Sequence, residues 1–126
     1  MAEFIRAESV APDADAIPGL SVQWVLNKHT VGTQKLTSGR TTMAPGVRSR
    51  LHYHSNAEAV MFILKGRVKI IIGEQREEHV VEPGCFCFYR MGEIHGQENV
   101  GDETAEWIFC YAGAPDVKEA DTVFVE

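Results

Sequence analysis

The sequence predicts an all-β fold, a single-domain antiparallel β-sandwich or β-barrel, on two observations. Apolar residues recur in short strand-like runs, and no apolar pattern of helical period continues beyond about two turns. Gly, Pro, Asn or Asp residues bound these runs, which follow one another at intervals of roughly ten residues. Such spacing is typical of antiparallel β proteins and leaves no composition break that would define a second folded domain.

The elements follow in chain order. Residues 1–18, with two Pro and four acidic residues, are predicted to form an N-terminal arm that precedes a barrel domain at 19–126. The β-branched run at 68–72 and the turn at 73–76 predict a hairpin that returns through 78–81. The predicted strands lie at 19–27, 33–44, 49–54, 59–66, 66–73, 77–83, 84–90 and 105–113.

Charge and composition exclude several classes of protein. The 126 residues include 12 Lys and Arg against 18 Asp and Glu, for a formal charge of −6, which argues against binding to nucleic acid or to an anionic membrane surface. No apolar run is long enough to span a bilayer, and the first twenty residues lack the pattern of a secretory signal. Three Cys without an export signal predict a reduced, cytoplasmic protein.

Two of the five histidines point to metal chemistry. His52 and His54 are two residues apart on a predicted strand, so their side chains lie on one face. Two imidazoles on one face can bind a single divalent metal when a third ligand arrives from elsewhere in the fold. His29 and His79 each stand alone beside polar residues and are predicted to be surface histidines.

The spacing of glycine, histidine and glutamate residues around His52 and His54 resembles that of the cupin superfamily of small metal-binding β-barrels. The first cupin motif is matched by Gly46, His52, His54, Glu58 and Gly66. The second is matched by Gly84, Gly92, His95 and Asn99. The resemblance implies a jelly-roll β-barrel that binds one divalent metal ion per chain, either Fe, Mn, Ni or Zn. It also implies that His52, His54 and His95 are metal ligands, with Glu58 as a fourth.

Two departures from the cupin motifs bear on this site. Arg90 replaces the Pro of the second motif, which affects a loop more than the chemistry. Seven residues, rather than six, separate Glu58 from Gly66, so that counting back from Gly66 puts Ala59 at the ligand position. Glu58 coordinates only if a bulge or the preceding loop absorbs the extra residue. Otherwise the site resembles the three-histidine cupins, such as the thiol and diketone dioxygenases.

Strand alternation also predicts what surrounds the metal. Arg50 is the candidate substrate anchor, because it shares the face of His52 and His54; Arg48 and Arg90 are nearby, and an exposed or ion-paired arginine is the alternative. Together the three arginines predict a locally basic pocket. Met61 and Ile63 are expected to face inward and Phe62 outward. The residues expected to be buried also include Trp107, Phe109 and Tyr111 as barrel core and Cys85, Cys87 and Cys110 as small hydrophobes.

These features predict a metal-dependent enzyme that acts on a small organic substrate, anionic or enolisable. An Fe(II) dioxygenase is the favoured form, with a metal-dependent isomerase, cyclase or lyase as the alternative. A non-catalytic barrel that binds a small ligand is the second alternative. The resemblance also implies a homodimer, in which residues 1–18 would be exchanged between the two chains.

Overall fold

Two five-stranded antiparallel sheets face each other in this computed structural model, which describes residues 2–126. The strands are β1 (Leu20–Leu26), β2 (Leu36–Met43), β3 (His52–His54), β4 (Glu58–Lys65), β5 (Val68–Ile72), β6 (Glu77–Val81), β7 (Phe86–Tyr89), β8 (His95–Asn99), β9 (Ala105–Ala112) and β10 (Thr122–Phe124). One sheet has the order β1-β2-β9-β4-β7 and the other β10-β3-β8-β5-β6. This arrangement confirms the predicted all-β barrel of jelly-roll type.

The core lies between the two sheets and is built by alternation along β4 and β9. Met61 and Ile63 are buried on the inner face of β4, as the count from Gly66 predicted. Phe62 faces outward and packs against Phe86 of β7, with ring centroids 4.5 Å apart. Because alternate residues of a strand point to opposite faces, β4 thus gives one side to the core and one to the outer surface.

The predicted hairpin is present between β5 and β6. The two strands pair from Val68 with Val81 to Ile72 with Glu77. Gly73 and Arg76 both adopt left-handed backbone conformations in the connecting turn, with φ of 77° and 56°. Glycine adopts this conformation without steric cost, which explains its place at the start of the turn.

Three elements were not predicted. Strand β8 reads HGQEN and lacks an apolar face, yet its inward side chains are buried. Strand β10 has three residues and forms by pairing with β3. Before it lies a short helix, α1 (Val117–Ala120), whose first turn is capped when the Asp116 side chain accepts a hydrogen bond from the backbone N–H of Glu119.

Residues 2–18 lie against β1. They include one 3₁₀ turn at Ala7–Ser9. The Gln23 amide donates to the carbonyl oxygens of Ala7 and Val10, at 2.9 and 3.0 Å. The Trp24 indole donates to the Asp13 carboxylate at 2.9 Å. These contacts fasten the predicted arm to the first strand; its first residue, Met1, lies outside the described residues.

Within residues 2–126, no helix combines the length and apolar character needed to cross a membrane. The cysteines Cys85, Cys87 and Cys110 are free and partly buried. Burial raises the pKa of the Cys87 thiol to about 12, with the neighbouring Cys85 as a smaller cause. A thiol with a raised pKa is a poor metal ligand and a poor nucleophile, which agrees with the expectation that Cys87 packs as a small hydrophobe.

Candidate metal centre

Two neighbouring strands of one sheet, β3 and β8, bring three histidines together. His52 and His54 project from β3 on the same face, and His95 of β8 is the direct cross-strand partner of His52. Their ring centroids are 4.5 Å apart for His52 and His95, and 5.4 Å apart for His54 and His95. One ring nitrogen from each histidine lies within 4.8 Å of those of the other two. A two-residue repeat plus one strand pairing therefore suffices to build the cluster.

Each ring is oriented through its Nδ1 atom. The Nδ1 atoms of His52 and His95 lie 2.8 and 2.9 Å from the carbonyl oxygens of Arg50 and Glu93. A carbonyl oxygen only accepts, so both rings carry their proton on Nδ1. The Nδ1 atom of His54 lies 2.9 Å from the hydroxyl oxygen of Thr122. With Nδ1 engaged in all three rings, Nε2 is the nitrogen left free for a ligand.

Burial keeps the three rings neutral. It lowers the pKa of His54 to about 4 and that of His95 to about 3, and the nearby His52 adds to both shifts. Burial also lowers the pKa of His52, and the Arg50 guanidinium contributes to that shift. Since a metal binds the unprotonated imidazole, this environment favours ligation at neutral pH.

The donor set fits a divalent metal ion. The Nε2 atom of His54 is buried without a hydrogen-bond partner, the one such side-chain nitrogen or oxygen within residues 2–126. An unsatisfied buried polar atom costs free energy, and it calls for a partner that the protein itself does not supply. Nitrogens that share an ion at about 2.1 Å lie roughly 3–3.5 Å apart, so a bound ion would draw together ring nitrogens that here lie within 4.8 Å of one another.

The structure does not bring Glu58, the fourth ligand implied by the resemblance, to this cluster. Glu58 is exposed, whereas Ala59 is 5% exposed and lines the cavity beside the histidines. A bulge does interrupt β4, between Ile63 and Lys65, but it lies beyond the inward residues. Alternation from Ala59 to Ile63 is therefore unbroken, and Glu58 points to the outer face. The cluster that could hold a metal therefore consists of three histidines, without the Glu58 that the resemblance implied.

The histidines line a cavity of about 520 Å³ between the sheets. Its walls are largely aromatic and apolar, and they include Trp24, Met61, Trp107, Phe109 and Tyr111. The last three were predicted as barrel core; Trp107 and Phe109 are buried in it, and all three also face the cavity. A substrate in this space would be held mainly by apolar and aromatic contact.

Only one of the three arginines expected near the site lines the cavity. The Arg50 guanidinium lies there, over the ring of Phe124 at 4.0 Å, and donates to the carbonyl oxygen of Glu126 at 2.8 Å. Arg48 is exposed and pairs with the Glu126 carboxylate, and Arg90 lies over Phe88. The aspartates Asp13 and Asp15 also line the cavity. The prediction of a locally basic pocket is therefore wrong, because one arginine and two aspartates line the cavity.

Sequence reasoning missed a buried polar pair beside the metal centre. Gln97 follows His95 on the same face of β8, and its side-chain amide donates to the Tyr89 hydroxyl at 3.3 Å. The Tyr89 hydroxyl donates to the thioether of Met61 at 3.0 Å. Both polar side chains are buried in the cavity wall. The i, i+2 spacing of His95 and Gln97 could have indicated that both side chains lie on one face. It was overlooked because the sequence of β8 is polar and does not look like a strand.

The two histidines predicted to be on the surface lie outside this site. His29 is exposed, and its Nε2 atom lies 3.0 Å from the Asp116 carboxylate. His79, also exposed, is 3.7 Å from the Glu77 carboxylate. Both therefore fit the predicted role of surface histidines.

Sequence comparison places the chain beside proteins of one family. A family model described as "Cupin domain" matches residues 39–111, more than half of the chain. Polyketide synthase CurC of Streptomyces cyaneus is 29% identical over 91 residues, which cover 72% of this chain and 58% of that protein. Germin-like protein subfamily 3 member 2 of Arabidopsis thaliana is 36% identical over 69 residues, 52% of this chain and 30% of that protein. The chain thus spans only part of the length of both.

Solved structures share the architecture. The polyketide cyclase RemF from Streptomyces resistomycificus superposes with a TM-score of 0.79 at 18% identity, over 100% of this chain and 87% of that one. An oxalate oxidase gives 0.78 at 23% identity, over 97% and 63% of the two chains. The oxalate decarboxylase of Lactobacillus farciminis gives 0.79 at 16% identity, over 94% and 34%. At these identities the likeness establishes the fold alone.

Proposed function

This chain belongs to the cupin family, and on that premise we propose that it is a metal-dependent enzyme acting on a small organic substrate with an enolisable or anionic oxygen group. The observation that carries the proposal is the buried, unpartnered Nε2 atom of His54. It lies in a cluster with His52 and His95, whose Nδ1 atoms are hydrogen-bonded to main-chain carbonyl oxygens, so that their Nε2 atoms are free. The three rings form one wall of a cavity large enough for a substrate.

The proposed ligands are the Nε2 atoms of His52, His54 and His95, which would hold one divalent ion per chain. Neutral imidazoles suit Fe, Mn, Ni and Zn, and the donor set does not select among them. When bound, such an ion would polarise a substrate oxygen and stabilise negative charge that develops on it. The protein side chains then have to orient the substrate and exclude water.

The cavity walls favour a substrate with a flat, mostly apolar body. Trp107, Phe109 and Tyr111 present three aromatic side chains from the same face of β9. Aromatic walls bind planar apolar groups through offset or edge contacts and exclude water from the reacting atoms. A very small dianion would leave most of the 520 Å³ unfilled and most of this apolar surface wet.

Two polar features would orient that substrate. The Tyr89 hydroxyl donates to the Met61 thioether, and the Gln97 amide donates to the same thioether and to the Tyr89 hydroxyl, and these are weak contacts. An acceptor oxygen on the substrate would offer both a better partner. The second feature is the Arg50 guanidinium, the proposed anchor for a carboxylate or enolate. It has further N–H donors besides the two that it directs to Glu126.

Dioxygenase chemistry on Fe(II) is the first candidate reaction. The donor set supports it, because three neutral histidines would hold Fe(II) without a carboxylate ligand and would leave it open to further ligands. Oxygen uptake by iron-loaded protein with an aryl 1,3-diketone as the probe tests it directly. Cleavage of the diketone with matching oxygen uptake is expected; turnover without oxygen uptake contradicts it.

Ring closure or isomerisation is a second candidate, favoured by a specific observation. Two of the similar proteins are named for polyketide chemistry, a polyketide synthase protein and a polyketide cyclase, and the cyclase aligns over most of both chains. Stabilisation of an enolate is the step that such a reaction shares with diketone cleavage. A zinc-loaded protein that converts a poly-β-ketone probe under anaerobic conditions would support this candidate over the first.

A binding module without catalysis is the outcome that would overturn both candidates. Such a protein would bind the diketone probe in the metal-loaded form and return it unchanged under aerobic and anaerobic conditions alike. A matched preparation of His54→Gln, tested with the same metals and probe, shows whether any conversion depends on the proposed centre.

We also propose that the protein forms a homodimer. The supporting observation is an exposed apolar face on the outside of β4 and β7, where Phe86 is 73% exposed and Phe88 49% exposed. Exposed aromatic side chains on a sheet face are typical of a protein–protein interface. Deleting residues 1–18 is expected to yield a monomer on size-exclusion chromatography if the arm is exchanged. An unchanged dimer would contradict the exchange of the arm.

A further inference from the structure

The three histidines are not oriented in the same way. The Nδ1 atoms of His52 and His95 are held by main-chain carbonyl oxygens of their own chain segments, two residues earlier in each case. The Nδ1 atom of His54 is held instead by the side chain of Thr122, at 2.9 Å. Within the cluster, therefore, His54 alone has a side chain as the hydrogen-bond partner of its Nδ1 atom.

Thr122 comes from a part of the chain beyond the residues that match the family model. It lies on β10, at the edge of the sheet, and is the direct cross-strand partner of His54. Hydrogen bonds hold the two residues that precede it. The backbone N–H groups of Ser55 and Asn56 donate to the carbonyl oxygens of Asp121 and Ala120, both at 3.1 Å.

The helix before β10 adds a further support. Asp116 is buried and caps α1, and its carboxylate also pairs with Lys28 and His29 from the loop after β1. The Ser55 hydroxyl donates to the Asp121 carboxylate at the turn between α1 and β10. The hydroxyl of Thr122 is thus presented to His54 by a segment anchored at several points.

A hydroxyl differs from a carbonyl oxygen because it can either accept or donate. If the Thr122 hydroxyl accepts from Nδ1–H, the lone pair of His54 Nε2 faces the cluster. If it donates to Nδ1, Nε2 carries the proton and cannot bind a metal. The partner of Nδ1 therefore selects which nitrogen of the ring is free.

We propose that Thr122 is a positioning residue of the metal centre: it accepts a hydrogen bond from His54 Nδ1 and keeps Nε2 unprotonated towards His52 and His95. This inference rests on the proposed function, because it assigns a role toward the same metal. It adds β10, which lies outside the matched cupin domain, to the parts of the chain that build the site. Support of this kind typically changes metal affinity by about 10–100-fold.

The test uses the full chain and the variants Thr122→Val, Thr122→Ser and Thr122→Ala. Valine keeps the branched shape and removes the acceptor, whereas serine keeps the hydroxyl. Nitrogen-15 NMR of the metal-free protein, at an alkaline pH where imidazole is neutral, reports which ring nitrogen of His54 carries the proton. Calorimetric titration with Zn²⁺ reports affinity, and thermal unfolding of each metal-free variant reports folding.

We expect the wild type and Thr122→Ser to hold His54 as the Nδ1–H tautomer. In Thr122→Val and Thr122→Ala we expect a shift towards the Nε2–H tautomer and a loss of Zn²⁺ affinity of about 10-fold or more, with little change in unfolding temperature. An Nε2–H tautomer in the wild type overturns the proposal without reference to any variant. Equal tautomers and equal Zn²⁺ affinity in wild type and Thr122→Val overturn it as well.

The same experiment separates this inference from the proposed function. A wild-type protein that binds no Zn²⁺, Fe²⁺, Mn²⁺ or Ni²⁺ refutes the metal centre, whereas the tautomer of His54 still decides the role of Thr122. A wild type that binds metal, with a Thr122→Ser variant that behaves like Thr122→Val, refutes the role of the hydroxyl and leaves the metal centre standing.

Discussion

The ring of Tyr89 stacks on the imidazole of His95, with centroids 4.0 Å apart and planes inclined by 10°. Both side chains are buried, and they come from different sheets, Tyr89 from β7 and His95 from β8. The stack restricts the rotation of the His95 ring, a proposed metal ligand. The hydroxyl of the same Tyr89 accepts a hydrogen bond from the Gln97 amide. Tyr89 therefore contacts a proposed metal ligand through its ring and supplies, through its hydroxyl, part of the polar pair proposed to bind the substrate.

The two roles of Tyr89 can be separated by substitution. Tyr89→Phe keeps the stacked ring and removes the hydroxyl, so we expect unchanged metal affinity and a KM for the diketone probe raised by about 10-fold, the loss of roughly 1.4 kcal/mol of binding. Tyr89→Leu removes the ring and is expected to lower metal affinity too. Steady-state kinetics and metal titration check both results; equal KM values for wild type and Tyr89→Phe would contradict the hydroxyl's role.

Arg50 can be tested against a matched neighbour. Arg50 and Arg48 both contact Glu126, but only Arg50 lines the cavity. Because a guanidinium binds a carboxylate through paired donors, we expect Arg50→Met to raise the KM for an anionic substrate about 10-fold or more. Arg48→Met should stay within about twofold of the wild type. Similar effects of the two substitutions would show that Arg50 acts through its contact with Glu126 and not on the substrate.

Glu58 offers a test of the register of β4. Because its side chain is exposed on the outer face, Glu58→Gln is expected to leave metal stoichiometry and affinity unchanged. His54→Gln is the comparison, because it replaces a proposed metal ligand with a side chain of similar size. Metal analysis after dialysis measures both. If Glu58→Gln lowers metal affinity as strongly as His54→Gln, the carboxylate reaches the ion and the count from Gly66 is misleading.

The stability of the metal-free protein should depend on pH through its buried histidines. Between about pH 6.5 and pH 4 the unfolded chain binds a proton at His54 that the folded chain does not, so stability falls as the pH falls through this window. At about 1.4 kcal/mol per pKa unit, the loss from this one ring is on the order of 2–3 kcal/mol. Urea unfolding near neutral pH and near pH 4 measures it, and His54→Gln should show a shallower pH dependence. A stability that rises on acidification would contradict the buried neutral rings.

The fold and the histidine cluster followed from the sequence because their signals are local. Alternation indicated most strands, including β3 with His52 and His54. The resemblance to the second cupin motif added His95, although β8 itself was not predicted as a strand. Counting from Gly66 also placed Ala59, rather than Glu58, on the inner face. The count could not decide the matter, because a bulge anywhere before the ligand position reverses the faces.

The contacts that complete the site were not predictable because they join distant segments. Strand β8 buries Gln97 and Asn99, which an apolar pattern cannot identify as inward residues. Their burial depends on hydrogen bonds to other parts of the chain, such as those of Asn99 to the carbonyl oxygens of Met43 and Glu103. Thr122 stands 68 positions from His54, and its three-residue strand carries no periodic signal.

We expect His52, His54 and His95 to hold one divalent metal ion, and the metal content of the natively purified full chain tests this expectation most directly. Elemental analysis of the wild type, beside the variant with all three histidines changed to Gln, is expected to find about one equivalent of Fe, Mn, Ni or Zn per chain in the wild type and almost none in the variant. A wild-type protein that holds no stoichiometric metal, and takes up none of these four ions on titration, would contradict the account.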